Sequence, residues 1–371
     1  MSWTTVGNLN IARIFHTATL LANGKVLVYG GSSNNNYEST AELYDPRSKT
    51  FALTGSAFSG RVAHSAFLLN NGKVLVAAGS SPGDFAQLTS CELYDPETAE
   101  WQPTGRTEFI RQLQTGVVLL DGRVMLVGGD ANNPSIGFTF ASCEIYDPAQ
   151  GGWARTGDLN IPRLRHTATV LMDGRVLVVG GETFSASEFP PAAELFDPTT
   201  GVWSLTSKPF FPRYGHTATR LNDKNGKVLV AGGGSGGSKG LFPALRSVEL
   251  YDPQSGTWSS TGDLETGRAF HFATLLHDGR VLIQGGTDSS GTALASAEVY
   301  DPSNFGWTSA GSISVLRASN TMTLLKAGRF EPGAPAASQV LITGGQTTPP
   351  PGTILNSCEL YDSGTHVVNH L

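Results

Sequence analysis

Short apolar runs closed by glycine recur along the whole of this chain, alternating with polar, turn-rich stretches. The first is Val26-Leu27-Val28-Tyr29, followed by Gly30-Gly31. It is apolar at every position rather than at every second one, which marks a strand covered on both faces. Before it, His16-Thr17-Ala18-Thr19-Leu20-Leu21 reads as a partner strand. The two are joined through Asn23-Gly24, whose tolerance of positive φ suits a tight hairpin. Beyond a stretch of variable length come Glu42-Leu43-Tyr44-Asp45, a third strand stopped by Pro46, and a fourth strand carrying Phe51. The glycine pair returns as Ala78-Gly79, Gly128-Gly129, Gly180-Gly181, Gly232-Gly233, Gly285-Gly286 and Gly344-Gly345, with second glycines 48, 50, 52, 52, 53 and 59 residues apart. Each pair is followed by its own Glu-x-x-Asp signature, the last at Glu359 to Asp362. Four antiparallel strands at this period predict an all-β chain, a single seven-bladed β-propeller occupying residues 1–371.

The fourth strands carry Phe51, Trp101, Trp153, Trp203, Trp258 and Trp307, but the seventh signature has no aromatic after it. The missing one stands at the other end of the chain as Trp3. Residues 2–6 are therefore expected to form the outer strand of the last blade, leaving no loose edge. The alternative is that Val367-Val368 takes that slot and residues 366–371 add the strand.

The glycine pair after an apolar strand, the tyrosine a dozen or so residues on and the tryptophan soon after it resemble kelch repeats. They do so seven times over essentially the whole chain. The resemblance implies the kelch-type propeller, related to the propeller domain of galactose-oxidase-like proteins. It leaves function open, because such propellers serve as protein-binding modules, scaffolds, sugar isomerases, specifier proteins of plant glucosinolate breakdown and the catalytic domain of copper radical oxidases. Those oxidases need a cysteine cross-linked to a tyrosine, a second ligand tyrosine and two histidines converging on the ring axis. This chain has no adjacent Tyr-His pair. The nearest is Tyr214-Gly215-His216, whose histidine already belongs to the repeat, so no copper is expected.

Composition narrows the classes further. Charged residues are 15% of the chain, glycines number 45 and the net charge is −6. Once the charges that recur in every blade are set aside, acidic and basic residues nearly balance, and no basic run suggests nucleic acid. No apolar run approaches the roughly 20 residues of a membrane span. The opening residues lack the pattern of a secretory signal, so a cytoplasmic monomer is expected. Cys91, Cys143 and Cys358 precede the signature glutamate, where other blades have Ala41, Ala193, Val248 and Ala297, which makes the slot a small apolar core position.

Every blade also begins with an arginine three residues ahead of a histidine, from Arg13/His16 to Arg268/His271, except that Arg111 leads to Gln114 and Arg317 to Asn320. Replacement by Gln or Asn keeps hydrogen bonding and discards metal preference, so the histidines read as structural and no metal or cofactor is expected. The arginines suit bonds to repeat carboxylates or to loop carbonyls between blades. His366 and His370 have metal-ligand spacing only on a helix, which the polar tail does not favour.

Strand order puts the loops after Gly-Gly and those before the arginine on one face, which also carries the long variable stretches such as residues 130–142 and 234–247. Residues 327–338, which replace a short turn in the seventh unit and include Phe330, should form a surface loop on the opposite face. Residues near the axis that depart from the repeat are the candidate site: Asp130, Glu182, Arg165, Gln112, Tyr214, Phe270 and Phe15. Acid, base, amide and aromatic groups at a channel mouth suit a small polar ligand. Two functions fit. One is a binding or scaffolding module for such a ligand or a protein, with apolar anchors in Leu241-Phe242-Pro243-Ala244-Leu245 and Glu188-Phe189-Pro190-Pro191. The other is a cofactor-independent isomerase, lyase or cyclase working through Glu182, Asp130, Arg165 and Tyr214.

Overall fold

The computed structural model describes residues 1–371 apart from 35, 82–87, 132–138, 184–188, 237–242, 327–336, 348–351 and 365–371. Most of the 327–338 insertion, Leu241-Phe242, Glu188 and both tail histidines lie outside the described residues. The rest forms seven four-stranded antiparallel sheets with no helix among the described residues. In blade one, Thr17–Leu20, Val26–Tyr29, Ala41–Asp45 and Thr50–Thr54 run in sequence order from axis to rim. The innermost strand of each blade touches both neighbours, and the ring closes where Thr17–Leu20 meets Thr321–Leu324 of blade seven.

Each second strand is buried along its whole length because its two faces serve two different seams. In Val176–Val179, Val176 and Val178 pack with Met125 and Val127 of blade three. Leu177 and Val179 pack with Val228 and Val230 of blade five. The chain closes through its N-terminal strand: Ser2–Thr5 pairs with Cys358–Asp362 and sets Trp3 opposite Tyr361, the rings 5.0 Å apart. The Trp3 indole donates to the Ala310 carbonyl at 2.8 Å. Trp101, Trp203, Trp258 and Trp307 make the same bond to the blade before theirs. The seventh aromatic slot is therefore filled by Trp3, while Val367-Val368, the alternative, lies outside the described residues.

All seven repeat arginines are fully buried, each paired with its signature glutamate at 2.5 to 3.1 Å. The repeat carboxylates are thus the partners expected, but the bonds lie inside one blade and not between blades. Arg163, for example, donates to the Gly180 carbonyl at 2.9 Å and to Glu194 at 2.6 Å. Glu194 also accepts the backbone N–H of Asn160, in the segment that leads into the blade, at 2.7 Å. The guanidinium stays within its blade because it sits at the head of the first strand, one strand away from the second and two from the third.

Four of the five repeat histidines add a side-chain bond to a neighbouring blade near the axis, whereas His166 has no such partner among the described residues. His16 Nε2 meets the Thr343 hydroxyl at 2.9 Å, and His64, His216 and His271 meet Thr17, Thr167 and Thr217 at 2.9 to 3.0 Å. In blade three Gln114 makes the equivalent bond to Ser65 at 3.1 Å. Burial, reinforced by the arginine three residues earlier, lowers the pKa of His16, His166 and His271 from 6.5 to about 3 and that of His64 and His216 well below 6.5.

Three outcomes follow from this construction. Deleting residues 1–7 removes an edge strand and a packed indole, and should lower unfolding free energy by roughly 3 kcal/mol or more in urea denaturation. Glu194→Ala leaves Arg163 buried without its counter-charge and should cost about 3–5 kcal/mol in the same assay. Because the five histidines stay neutral when folded, the unfolded chain binds more protons as pH falls below 6.5. Stability should therefore be full above pH 6.5 and decline between there and about 3, with each histidine adding about 1.4 kcal/mol per pH unit. His64→Gln, which copies blade three, should make that decline shallower when urea midpoints are compared at pH 7.5 and 5.

Candidate functional site

Between each arginine and the next structural side chain the backbone makes one abrupt turn. Phe15, Ala63, Leu113, Arg165, Gly215, Phe270 and Ser319 all have φ between 52° and 57°, the left-handed region that non-glycine residues enter at a cost of about 1 kcal/mol or more. Six of the seven are not glycine. The turn lets the arginine reach back into its blade while the following side chain descends into the seam, and it leaves the turning residue at the axis. Backbone bonds link these residues around the ring: Arg165 N–H to Leu113, Gly215 to Arg165, Phe270 to Gly215 and Phe15 to Ser319, at 2.7 to 3.4 Å.

Inside the ring is a cavity of about 560 Å³. Phe15, Ala63, Leu113, Gly215, Phe270 and Ser319 line its mouth, followed along the chain by His16, His64, Gln114, His216, His271 and Asn320, which line it too; Arg165 and Glu182 are not in the lining. Phe15 and Phe270 keep nearly half of their surface exposed. On the blade-four side Arg165 takes the same ring position. Its guanidinium lies 5.6 Å from the centre of the Phe270 ring and donates to Glu182 at 2.7 Å. This pair is partly exposed, so its contribution to stability is small.

The structure thus brings Arg165, Glu182, Phe270 and Tyr214 together across blades four to six, with Phe15 facing the cavity from blade one. Tyr214 is buried, edge-on to Phe270 at 5.8 Å and stacked on Phe189 at 6.1 Å. Burial, with Glu182 adding to it and Arg165 opposing it, pushes its phenol up to about 12. It keeps its proton and braces the aromatic wall instead of facing the cavity. Gly215 makes room for that wall, since a Cβ there would strike the Phe270 ring at 2.7 Å. Asp130 and Gln112 stand in blade three, bridged backbone to backbone, and Gln112 accepts from Ser80 of blade two at 3.1 Å. Cavity residues outside the candidate set include Leu113, Ala63 and Thr287, which the repeat also places near the axis, together with Gln114 and Asn320. The last two were visible as breaks in the histidine pattern.

The family described as the KLHDC2/KLHL20/DRC7 Kelch-repeats domain matches residues 114–327, and a single Kelch motif matches residues 15–53. No curated protein matches the chain. Among solved structures, a novel fungal alcohol oxidase of the AA5 family, in complex with copper, is similar at 16% identity and TM-score 0.76, over 97% of this chain and 76% of that one. The protein YjhT is similar at 16% identity and TM-score 0.62, over 82% of this chain and 99% of its own. At that identity both show a shared fold. The residues at this axis do not fit a copper centre: the Nε2 atoms of His16, His64, His216 and His271 are each engaged by a threonine hydroxyl. Cys91, Cys143 and Cys358 are buried within the blades, with burial pushing their thiols to about 11, 12 and 12. Among the described residues no three His, Cys, Asp or Glu side chains are placed to hold a metal ion together. With seven blades built on one repeat and more than half of the chain matched, this protein belongs to the kelch-repeat family of β-propellers.

Proposed function

We propose that this propeller takes a small molecule into its axial cavity and acts on it there as a cofactor-independent enzyme of isomerase, lyase or cyclase type. The observation that carries the reading is the cavity itself, concave and about 560 Å³, with aromatic and polar side chains in its lining. Cavities of this size suit a small molecule, whereas a flat apolar rim would suit a protein. That an alcohol oxidase uses the same architecture over 97% of this chain lends support to chemistry rather than capture alone. In this reading Glu182 is the proton acceptor and Arg165 steadies developing negative charge. Phe15 and Phe270 hold the apolar part of the substrate, Tyr214 supports the wall, and Asp130 and Gln112 extend the polar rim.

The second reading is a binding or scaffolding module, favoured by Phe58, Phe210 and Phe211, which are exposed in the segments leading into blades on the same loop-rich face. A protein partner would use them, with Pro243, Phe189 and Pro190, as anchors. Either reading suits a cytoplasmic monomer, and three buried free cysteines are in keeping with a reducing compartment. No helix among the described residues is long and apolar enough to cross a membrane.

The test begins with a thermal-shift screen of small metabolites against the whole chain. For a compound so found, Arg165→Ala and Glu182→Ala should each cut binding or turnover by about tenfold or more. Both should melt within a few degrees of the parent, since neither removes a buried group. Unchanged affinity in both variants would overturn the assignment.

A further inference from the structure

At the axis, five of the seven seams between blades are filled in one way. The first glycine of a pair in one blade packs against the histidine of the next. A Cβ added to Gly30, Gly128, Gly180, Gly232 or Gly344 would strike that imidazole at 2.7 to 3.0 Å. In the seam between blades two and three the histidine is replaced by Gln114, and the glycine by the larger, fully buried Ala78. Only the seam between blades six and seven carries a replacement without compensation. There the histidine has become Asn320, and a Cβ on Gly285 would meet nothing nearer than 3.8 Å among the described residues.

Of the two amide side chains there, Asn320 donates its Nδ2 to the Thr321 carbonyl at 3.3 Å, and the other three amide atoms are unmatched. Gln284 is fully buried, and neither its Oε1 nor its Nε2 has a hydrogen-bond partner among the described residues. Asn320 is 3% exposed and its Oδ1 has none either. In the next seam the corresponding residues are Thr343 and His16, which bond to each other at 2.9 Å. Buried polar atoms without partners are costly and uncommon in folded proteins. Asn320 also lines the axial cavity, beside Ser319, Thr321, Thr287 and Phe272.

We infer that Asn320 is the polar anchor of the axial cavity at this seam, its unpartnered Oδ1 accepting a hydrogen bond from the N–H or O–H of an uncharged head group. The inference rests on the reading of the cavity as a small-molecule site. A primary carboxamide or a hydroxyl meets the requirement, because each brings a neutral donor to the Asn320 Oδ1. A charged head group does not. The flanking Arg268 and Arg317 are already matched by Glu298 and Glu359 at 2.8 and 3.1 Å, so a further charge would enter unpaired. The apolar body of such a ligand lies against Phe15 and Phe270.

The experiment titrates the intact protein with benzamide, benzoate and toluene, followed by NMR. Benzamide should bind about tenfold or more tightly than benzoate. The double variant Asn320→His, Gln284→Thr rebuilds the histidine–threonine seam found elsewhere in the ring, so it should melt no lower than the parent. It should also lose about tenfold in benzamide affinity while toluene binding is unchanged. Gly285→Ala, which copies Ala78 of blade two, should weaken benzamide in the same way should the double variant fail to fold. Equal binding of benzamide and toluene, or a benzamide preference that survives in the folded variants, would overturn the Asn320 anchor and leave the axial site standing. Binding of neither benzamide nor toluene would overturn both.

Discussion

Each blade is organised around a guanidinium removed from water. A buried charge is tolerable only with a counter-charge and with its remaining donors satisfied, and every blade supplies both. Burial lowers the pKa of Arg163, and the Glu194 carboxylate beside it opposes that shift. The same carboxylate receives the N–H of the segment leading into the blade, while the guanidinium also caps the carbonyl at the end of the second strand. One pair thus ties together three stretches of chain that would otherwise end in unsatisfied backbone groups. Repeated seven times, it sets the height of each blade at the loop-rich face.

The axial site is a consequence of that pair. To place its side chain into the blade the arginine must be followed by a reversal, and the reversing residue is left at the axis with its backbone in the left-handed region. Its side chain carries no structural duty in the blade. Hence Phe, Ala, Leu, Arg, Gly, Phe and Ser occupy one position around the ring, while the arginines beside them do not vary. The cavity mouth has the chemistry of six of those seven residues, with Arg165 beside it, on a scaffold whose geometry they hardly influence. Departures from symmetry next along the chain, at Gln114 and Asn320, bear on the cavity lining for the same reason: the seam needs something to fill it and offers several ways to do so.

The sequence alone offered Trp3 or Val367-Val368 for the last outer strand, and determined the propeller and its seven blades. These follow from strand periodicity, glycine pairs and aromatic slots, all of which act over a few neighbouring residues. It also marked Arg165, Glu182, Phe270 and Phe15 as breaks in the repeat near the axis, because comparing seven copies separates the common residues from the individual ones. It did not show that Tyr214 is buried between Phe189 and Phe270, or that Asp130 and Gln112 belong to blade three's own bridge. Nor did it show that the arginines bond within their blades, or that both amide atoms of Gln284 and the Oδ1 of Asn320 are buried without hydrogen-bond partners among the described residues. Those facts depend on which side chains meet across seams and across the axis, between residues far apart in the chain. Only closure of the ring brings such residues into contact, so only the tertiary structure could decide them.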